Sequence, residues 1–185
     1  MDPGRSPPRS TILTTARLTL RPSGGGDAER GFAILSDRAV ARNLSAVAFP
    51  PDRRVQQTWF DGHAGAWAEG RAYRFAVLLD GRMIGLADLD RVSDGGAELG
   101  YWLEAACWGQ GYATEAAGAL IAFAGDILGL ARLTAGHAAD NLASGRVLSK
   151  LGFQRTGETQ THSRSRGQPI TAVTYGLALG RAPGA

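Results

Sequence analysis

The chain predicts a single α+β domain, and three observations carry that expectation. β-type stretches stand at both ends and in the middle, an Asp-Gly dipeptide joins two of the central ones, and helical periodicities fall between them in no strict alternation. The resulting order, β-α-α-α-β-β-β-α-β-α-β-β, fits neither a doubly wound α/β sheet nor an all-β sandwich.

Ile12 to Arg21 carries β-branched and apolar residues and reads as the first strand, closed by Pro22 and Gly24-Gly25-Gly26. Asp27 is expected to cap a helix from Ala28 to Leu35, and Asp37 to Asn43 suggests a short second one. Pro50-Pro51-Asp52 is a stop followed by a start. Val55, Trp59, His63 and Trp67 then recur at helical spacing up to Gly70. Phe75–Asp80 and Met83–Asp90 flank Asp80-Gly81, the two-residue turn of an antiparallel hairpin, and Ala97–Leu103 follows after Asp94-Gly95-Gly96. From Ala113, apolar positions at Ala116, Ala117, Leu120, Ala124, Ile127 and Leu128 mark one helical face, which Gly129 ends. Arg132–His137 is a short strand and Asn141–Leu151 a helix ended by Gly152; Phe153–Glu158 and Ala172–Leu179 close the domain.

The 185 residues suit one domain at residues 11–180, after a disordered leader at 1–10 and before a flexible tail at 181–185. A net charge of +3 is too small to argue for nucleic acid as a partner. No apolar run approaches a membrane span and the first ten residues lack a signal-peptide core, so no membrane partner is expected. The single cysteine, Cys107, rules out an intrachain disulfide and suits a reducing cytosol. It has no histidine near it in sequence to activate it as a nucleophile. His63, His137 and His162 lack metal-ligand spacing, so no metal is expected, and His63 reads as a helix-surface residue. The Ser/Arg-rich stretch Thr161–Gln168, with Arg164 and Arg166, reads as a solvated loop or a partner patch.

Gly100 to Phe123 joins an aromatic strand, a glycine-punctuated loop at Trp108-Gly109-Gln110-Gly111, and an alanine-rich helix. Glycines let backbone N–H groups approach a pyrophosphate, and the helix N-terminus adds about half a positive charge. The loop lacks the Lys-Ser/Thr ending of a nucleotide P-loop. Gly109, Gly111 and Ala113 also miss the spacing of a dinucleotide fingerprint.

This run resembles the acyl-CoA-binding motif of the GNAT superfamily of N-acetyltransferases, Q/R-x-x-G-x-G/A, with Gly111-Tyr112-Ala113 on its last three positions and Trp108 in place of Gln or Arg. W-G-Q-G-Y-A-T-E-A is similar to the RimJ/RimL branch of that superfamily. So are Asn141-Leu142-Ala143-Ser144 with Leu148–Phe153, Thr15–Pro22, and Ala97–Leu103. Together these landmarks span residues 12 to 179.

The resemblance implies a mixed central sheet of about six to seven strands with splayed fourth and fifth strands, flanked by helices. It implies acetyl-CoA as co-substrate and direct attack by a primary amine. Unpaired backbone groups of Tyr101 and Leu103 would hold the pantetheine, and Trp108, Gly109, Gln110, Gly111, Tyr112, Ala113 and Thr114 the pyrophosphate. Asn141 would hydrogen-bond the CoA arm and Ser144 protonate the leaving thiolate, unless both simply cap their helix. Tyr112 is a second source of that proton. Glu98 would accept the amine's proton, or be a salt-bridged strand residue. Asp88 and Asp90 share a strand face that would attract a cationic acceptor. Glu115 favours the dipole of the loop helix. Trp59, Trp67 and Tyr73 belong to the core or to the acceptor wall. The acceptor expected first is a protein or peptide N-terminus, of the ribosomal-protein type. A polyamine, amino acid or antibiotic amine, and a non-catalytic acyl-CoA-binding module, are the alternatives; a homodimer is left open.

Overall fold

A computed structural model describes residues 6–93 and 95–180. One eight-stranded sheet forms its centre: β1 (Leu13–Thr14), β2 (Leu18–Pro22), β3 (Tyr73–Leu79), β4 (Arg82–Ser93), β5 (Gly96–Leu103), β6 (Arg132–Ala138), β7 (Gln154–Ser163) and β8 (Gln168–Ala178). The spatial order is β1-β2-β3-β4-β5-β6-β8-β7, antiparallel everywhere except between β5 and β6. The helices are α1 (Ala28–Leu35), α2 (Arg38–Ala41), α3 (Arg53–Asp61), α4 (His63–Ala68), α5 (Tyr112–Ala122) and α6 (Leu142–Lys150).

Eight strands replace six to seven because the predicted first strand is cut in two. Thr15 turns the chain back, its N–H and Oγ both reaching the Leu18 carbonyl. The predicted helix over 53–70 bends at Gly62 because its two halves bury against opposite faces of the sheet. Phe60 fills the space above Gly31, where any β-carbon would lie 2.5 Å from the ring. Trp67 instead packs with Phe75 and Phe123 on the other side. One core thus lies under α1–α3 with Leu86 and Trp102, and the larger one under α5 with Phe75, Leu89 and Leu120. Each strand face feeds a different core, as the two-residue period of a strand requires.

Asp52 caps α3 as expected, accepting from the amides of Arg54 and Val55. Asp27 does not cap α1; its carboxylate takes the Gly24 amide and a bidentate Arg21 instead. After α5 the chain widens into a π-helical turn over Phe123–Ile127 before Gly129, at φ +65°, ends it.

Of the expected leader, residues 1–5 lie outside the described residues, as do Asp94 and the expected tail at 181–185. Residues 6–10 are docked rather than free, since Trp67 Nε1 donates to the Pro7 carbonyl at 2.6 Å and the Arg9 guanidinium to the Ser23 carbonyl at 2.7 Å. The Ser/Arg-rich stretch is also not a solvated loop. It forms the tip of the β7–β8 hairpin, where Ser163 and Ser165 are buried and Arg166 donates to both Asp140 oxygens at 2.8 Å and to the Arg42 carbonyl. The Arg164 amide donates to the Ser45 carbonyl, so this tip closes over the segment between α2 and α3. The charge of Arg166 is thus met within the molecule, whereas Arg164 stays exposed at the cavity wall.

Candidate active site

β5 and β6 pair at only three steps, Gly96, Ala97 and Glu98 against Arg132, Leu133 and Thr134, and then part. Beyond the fork, the edge of β5 from Leu99 faces a cavity of about 880 Å³ rather than a strand. Every predicted site residue except Gln110 lines that cavity. Two ends can be distinguished, one at the glycine loop and one under α1–α3.

At the loop end, Gly109 and Gly111 adopt φ +78° and +85°, a region costly to a residue with a β-carbon. Gly111 opens α5, and Glu115 is the first residue to return a helical hydrogen bond, to the Gly111 carbonyl. Among the described residues, no protein acceptor meets the amides of Gly109 to Thr114. Six consecutive donors at a helix N-terminus make an anion site. Gln110 contributes only backbone, because its side chain donates to the Ala106 carbonyl.

Arg17, in the turn between β1 and β2, braces this loop from 93 residues away in sequence, a role that no local pattern marks. It donates to the Gln110 carbonyl at 3.0 Å and to Glu115, and its guanidinium lies 4.4 Å from the centre of the buried Tyr112 ring. Glu115 also accepts from the Thr15 hydroxyl and the Arg17 amide. Burial opposes its ionisation, but these hydrogen bonds outweigh burial and hold its carboxyl below the usual range. Glu115 therefore ties the β1–β2 turn to α5, a structural duty that its place in the first helical turn only partly announces.

Trp108 Nε1 donates to the Leu103 carbonyl at 2.9 Å. That carbonyl, expected to be open to a pantetheine, is already taken, and Trp108 latches the end of β5 to the loop. Cys107 is buried and its thiol donates to Glu104; burial first, then Glu104, pushes its ionisation upward, against any nucleophilic use.

At the mouth of the fork, Asn141 caps α6 with both ends of its amide. Oδ1 accepts from the Ser144 amide at 3.3 Å while Nδ2 donates to Ser144 Oγ at 3.0 Å. The capping demand is thereby met, and Ser144 Oγ, receiving a hydrogen bond, keeps its own proton free to donate. The Tyr101 hydroxyl donates to the Ser144 carbonyl at 3.3 Å, and burial pushes its pKa up to about 12. His137 packs beneath this helix end, its ring 5.4 Å from that of Tyr175 and its Nε2 2.9 Å from where a β-carbon on Gly145 would stand.

The far end holds three carboxylates on neighbouring strands. Asp88 faces Gly100 and Asp90 faces Glu98 across β4 and β5. Asp90 pairs with Arg74 at 2.8 Å, and Glu98 with Arg91. Asp88 has no ion pair among the described residues. Burial, then the charges of Asp90 and Glu98, push it up to about 7 against the pull of Arg74. No three His, Cys, Asp or Glu side chains among the described residues converge as a metal site.

Of the aromatics, Trp67 and Tyr73 are core, whereas Trp59 is 36% exposed and lines the cavity with Arg74 5.3 Å from its ring. His63 is not on the helix surface. It is buried between Trp59, Phe60 and Ser23, and burial lowers its pKa to about 3. Among the described residues, no helix is long and apolar enough to cross a membrane.

A family model described as an acetyltransferase (GNAT) domain matches residues 17–154. The uncharacterized N-acetyltransferase p20 of Bacillus licheniformis is 29% identical over 169 residues, covering 89% of this chain and 94% of that one. Among solved structures, RimL, a ribosomal L7/L12 α-N-protein acetyltransferase in complex with coenzyme A, aligns with a TM-score of 0.83 at 18% identity, over 93% of this chain and 100% of that one. RimJ of Mycobacterium smegmatis, in complex with CoA-disulfide, aligns at 0.81 and 21% identity, over 95% and 91%. At such identities these two structures speak for the fold alone.

Proposed function

The chain belongs to the GNAT family and is an N-acetyltransferase, and from that premise we propose that it acetylates the free amino terminus of a protein or peptide, with acetyl-CoA bound across the forked strands. The observation that carries this reading is the continuity of the cavity. It runs from the unpaired amides of Gly109–Thr114, along the open edge of β5, to the carboxylates at Asp88, Asp90 and Glu98. An anion site, a backbone edge that can hold an extended amide-containing arm, and a cation-attracting end stand in the order that a ternary complex needs.

In this reading the loop amides hold the pyrophosphate and the edge of β5 near Tyr101 holds the pantetheine and polarises the thioester carbonyl. Ser144 gives its proton to the departing thiolate. Asn141 orients it and keeps one amide hydrogen for the CoA arm. The acidic end receives the ammonium group. Like-charged carboxylates at that end suit any primary ammonium, so a polyamine is the second reading. What favours the N-terminus is the fold shared with RimL and RimJ, the first of which is described as acting on a protein N-terminus. Cys107 stays a thiol in the reducing compartment this reading assumes.

The test is release of CoA thiol from acetyl-CoA in the presence of a peptide with a free amino terminus, the same peptide with that terminus blocked, and spermidine. Acetylation of the free peptide alone supports the proposal. Turnover of spermidine but not of the peptide moves the assignment to small amines, and no thiol release with any acceptor turns it toward an acyl-CoA-binding module.

A further inference from the structure

We propose that Asp88, rather than Glu98, takes the proton that the acceptor ammonium must lose before attack. This rests on the ternary-complex reading above. Three features of the geometry select Asp88. First, it lies directly across from Gly100, beside the open edge of β5 at Tyr101, whereas Glu98 is two residues further back, about 7 Å along the strand. Second, Glu98 and Asp90 are each engaged by an arginine, and Asp88 is the carboxylate of the three without one among the described residues. Third, the Asp88 carboxylate occupies the space that a side chain at position 100 would take: a β-carbon on Gly100 would lie 2.5 Å from Asp88 Oδ1.

The charged groups around Asp88 are Arg74 on β3, Asp90 and Arg91 on β4, and Glu98 on β5; the rest of the cavity wall carries Asp52, His137, Arg146, Lys150 and Arg164. α1–α3, which cover this face, bring Leu35, Val40, Val55, Gln56 and Trp59 to the cavity, all of them uncharged. A carboxylate held at about 7 is matched to an ammonium near neutrality. In the step, the Asp88 carboxylate takes one proton from R–NH3+, and the amine lone pair forms the C–N bond as the thioester carbonyl becomes an oxyanion. Collapse of the oxyanion breaks C–S; the thiolate gains a proton from Ser144, and the second proton lost by the nitrogen passes through the water of the cavity to restore the Ser144 hydroxyl. Asp88 then returns its proton to the water of the cavity.

The test is the pH profile of kcat/KM, with the peptide or with spermidine, whichever the wild type turns over. The expected wild-type profile rises through about 7. Asp88→Asn should lose that limb and about a hundredfold or more in rate, with acetyl-CoA still raising the melting temperature. Trifluoroethylamine, neutral at assay pH, should lose much less. Glu98→Gln should keep the limb but move it to lower pH, because one negative neighbour is gone. A limb abolished by Glu98→Gln, or unchanged in Asp88→Asn, overturns the proposal. If Asp88→Asn does not fold, Asp90→Asn carries the same test, and it too must shift the limb downward without removing it. If the wild type acetylates neither acceptor, the acceptor reading falls on its own. The ¹³C carboxyl resonance missing from Asp88→Asn then decides, since titration in the ordinary carboxylate range overturns the assignment and titration near 7 supports it.

Discussion

Replacing Gly109 with alanine should weaken acetyl-CoA binding without deleting any contact of the unliganded protein. No atom lies within 4 Å of a β-carbon built there, so the cost is conformational and comes from φ +78°. An L-residue in that region is strained by about 1–2 kcal/mol, which in a chain of this size lowers the melting temperature by about 2–8 °C. Relief of the strain would turn one amide away from the ligand, at about 1.5–3 kcal/mol for a hydrogen bond to a charged group, or about a ten- to hundredfold weaker Kd. At a ligand concentration about 100 times the wild-type Kd, the wild type gains about 2.7 kcal/mol of stability, and the variant would gain about 1.4 to 0.4. Thermal denaturation with and without acetyl-CoA reads both effects. Gly81→Ala is the control: Gly81 has φ +77° with nothing within 4 Å, at the β3–β4 turn away from the cavity. It should lower the melting temperature of the free protein by a similar amount and leave the acetyl-CoA shift whole. A Gly109→Ala variant that keeps the full acetyl-CoA shift would refute the assignment of the pyrophosphate to this loop.

Ser144→Ala should lower kcat by about ten- to a thousandfold with acetyl-CoA affinity nearly unchanged, whereas Tyr101→Phe should leave kcat close to wild type; the reverse pattern in steady-state kinetics assigns the thiolate's proton to Tyr101. Buried His63 should make the fold acid-sensitive. Unfolded it binds a proton below about 6.5 and folded only near 3, so between these values the unfolded state holds more protons and stability falls with falling pH, by up to about 1.4 kcal/mol per pH unit. Urea denaturation of His63→Asn should show a shallower pH dependence over that window, and equal slopes would contradict a neutral buried imidazole. Glu115→Gln should remove stability that is present above the ordinary carboxylate pKa and lost as pH falls through the lowered folded value; wild type and variant should converge in acid.

Features encoded within a few residues were legible in the sequence. Asp52 after two prolines starts α3, Asp80-Gly81 turns β3 into β4, and Gly109 and Gly111 before an alanine-rich helix mark the loop of unpaired amides; each depends on its own φ, its own side chain, or a neighbour two or three residues away. The family motif on Gly111-Tyr112-Ala113 and the Asn141–Ser144 pair were visible for the same reason. Partners distant in sequence were decided by the tertiary structure. Asp27 looked like a cap and became the partner of Arg21, and His63 kept helical spacing but was turned inward when the helix bent at Gly62. Arg166 read as a solvated charge until the β7–β8 hairpin carried it onto Asp140. The fork between β5 and β6 depends on how two strands about 30 residues apart pair, which no local pattern encodes. The three carboxylates are the sharpest case. As residue types Asp88, Asp90 and Glu98 are nearly interchangeable, and they become different groups only because Arg74 reaches one, Arg91 another, and the bare backbone of Gly100 faces the third.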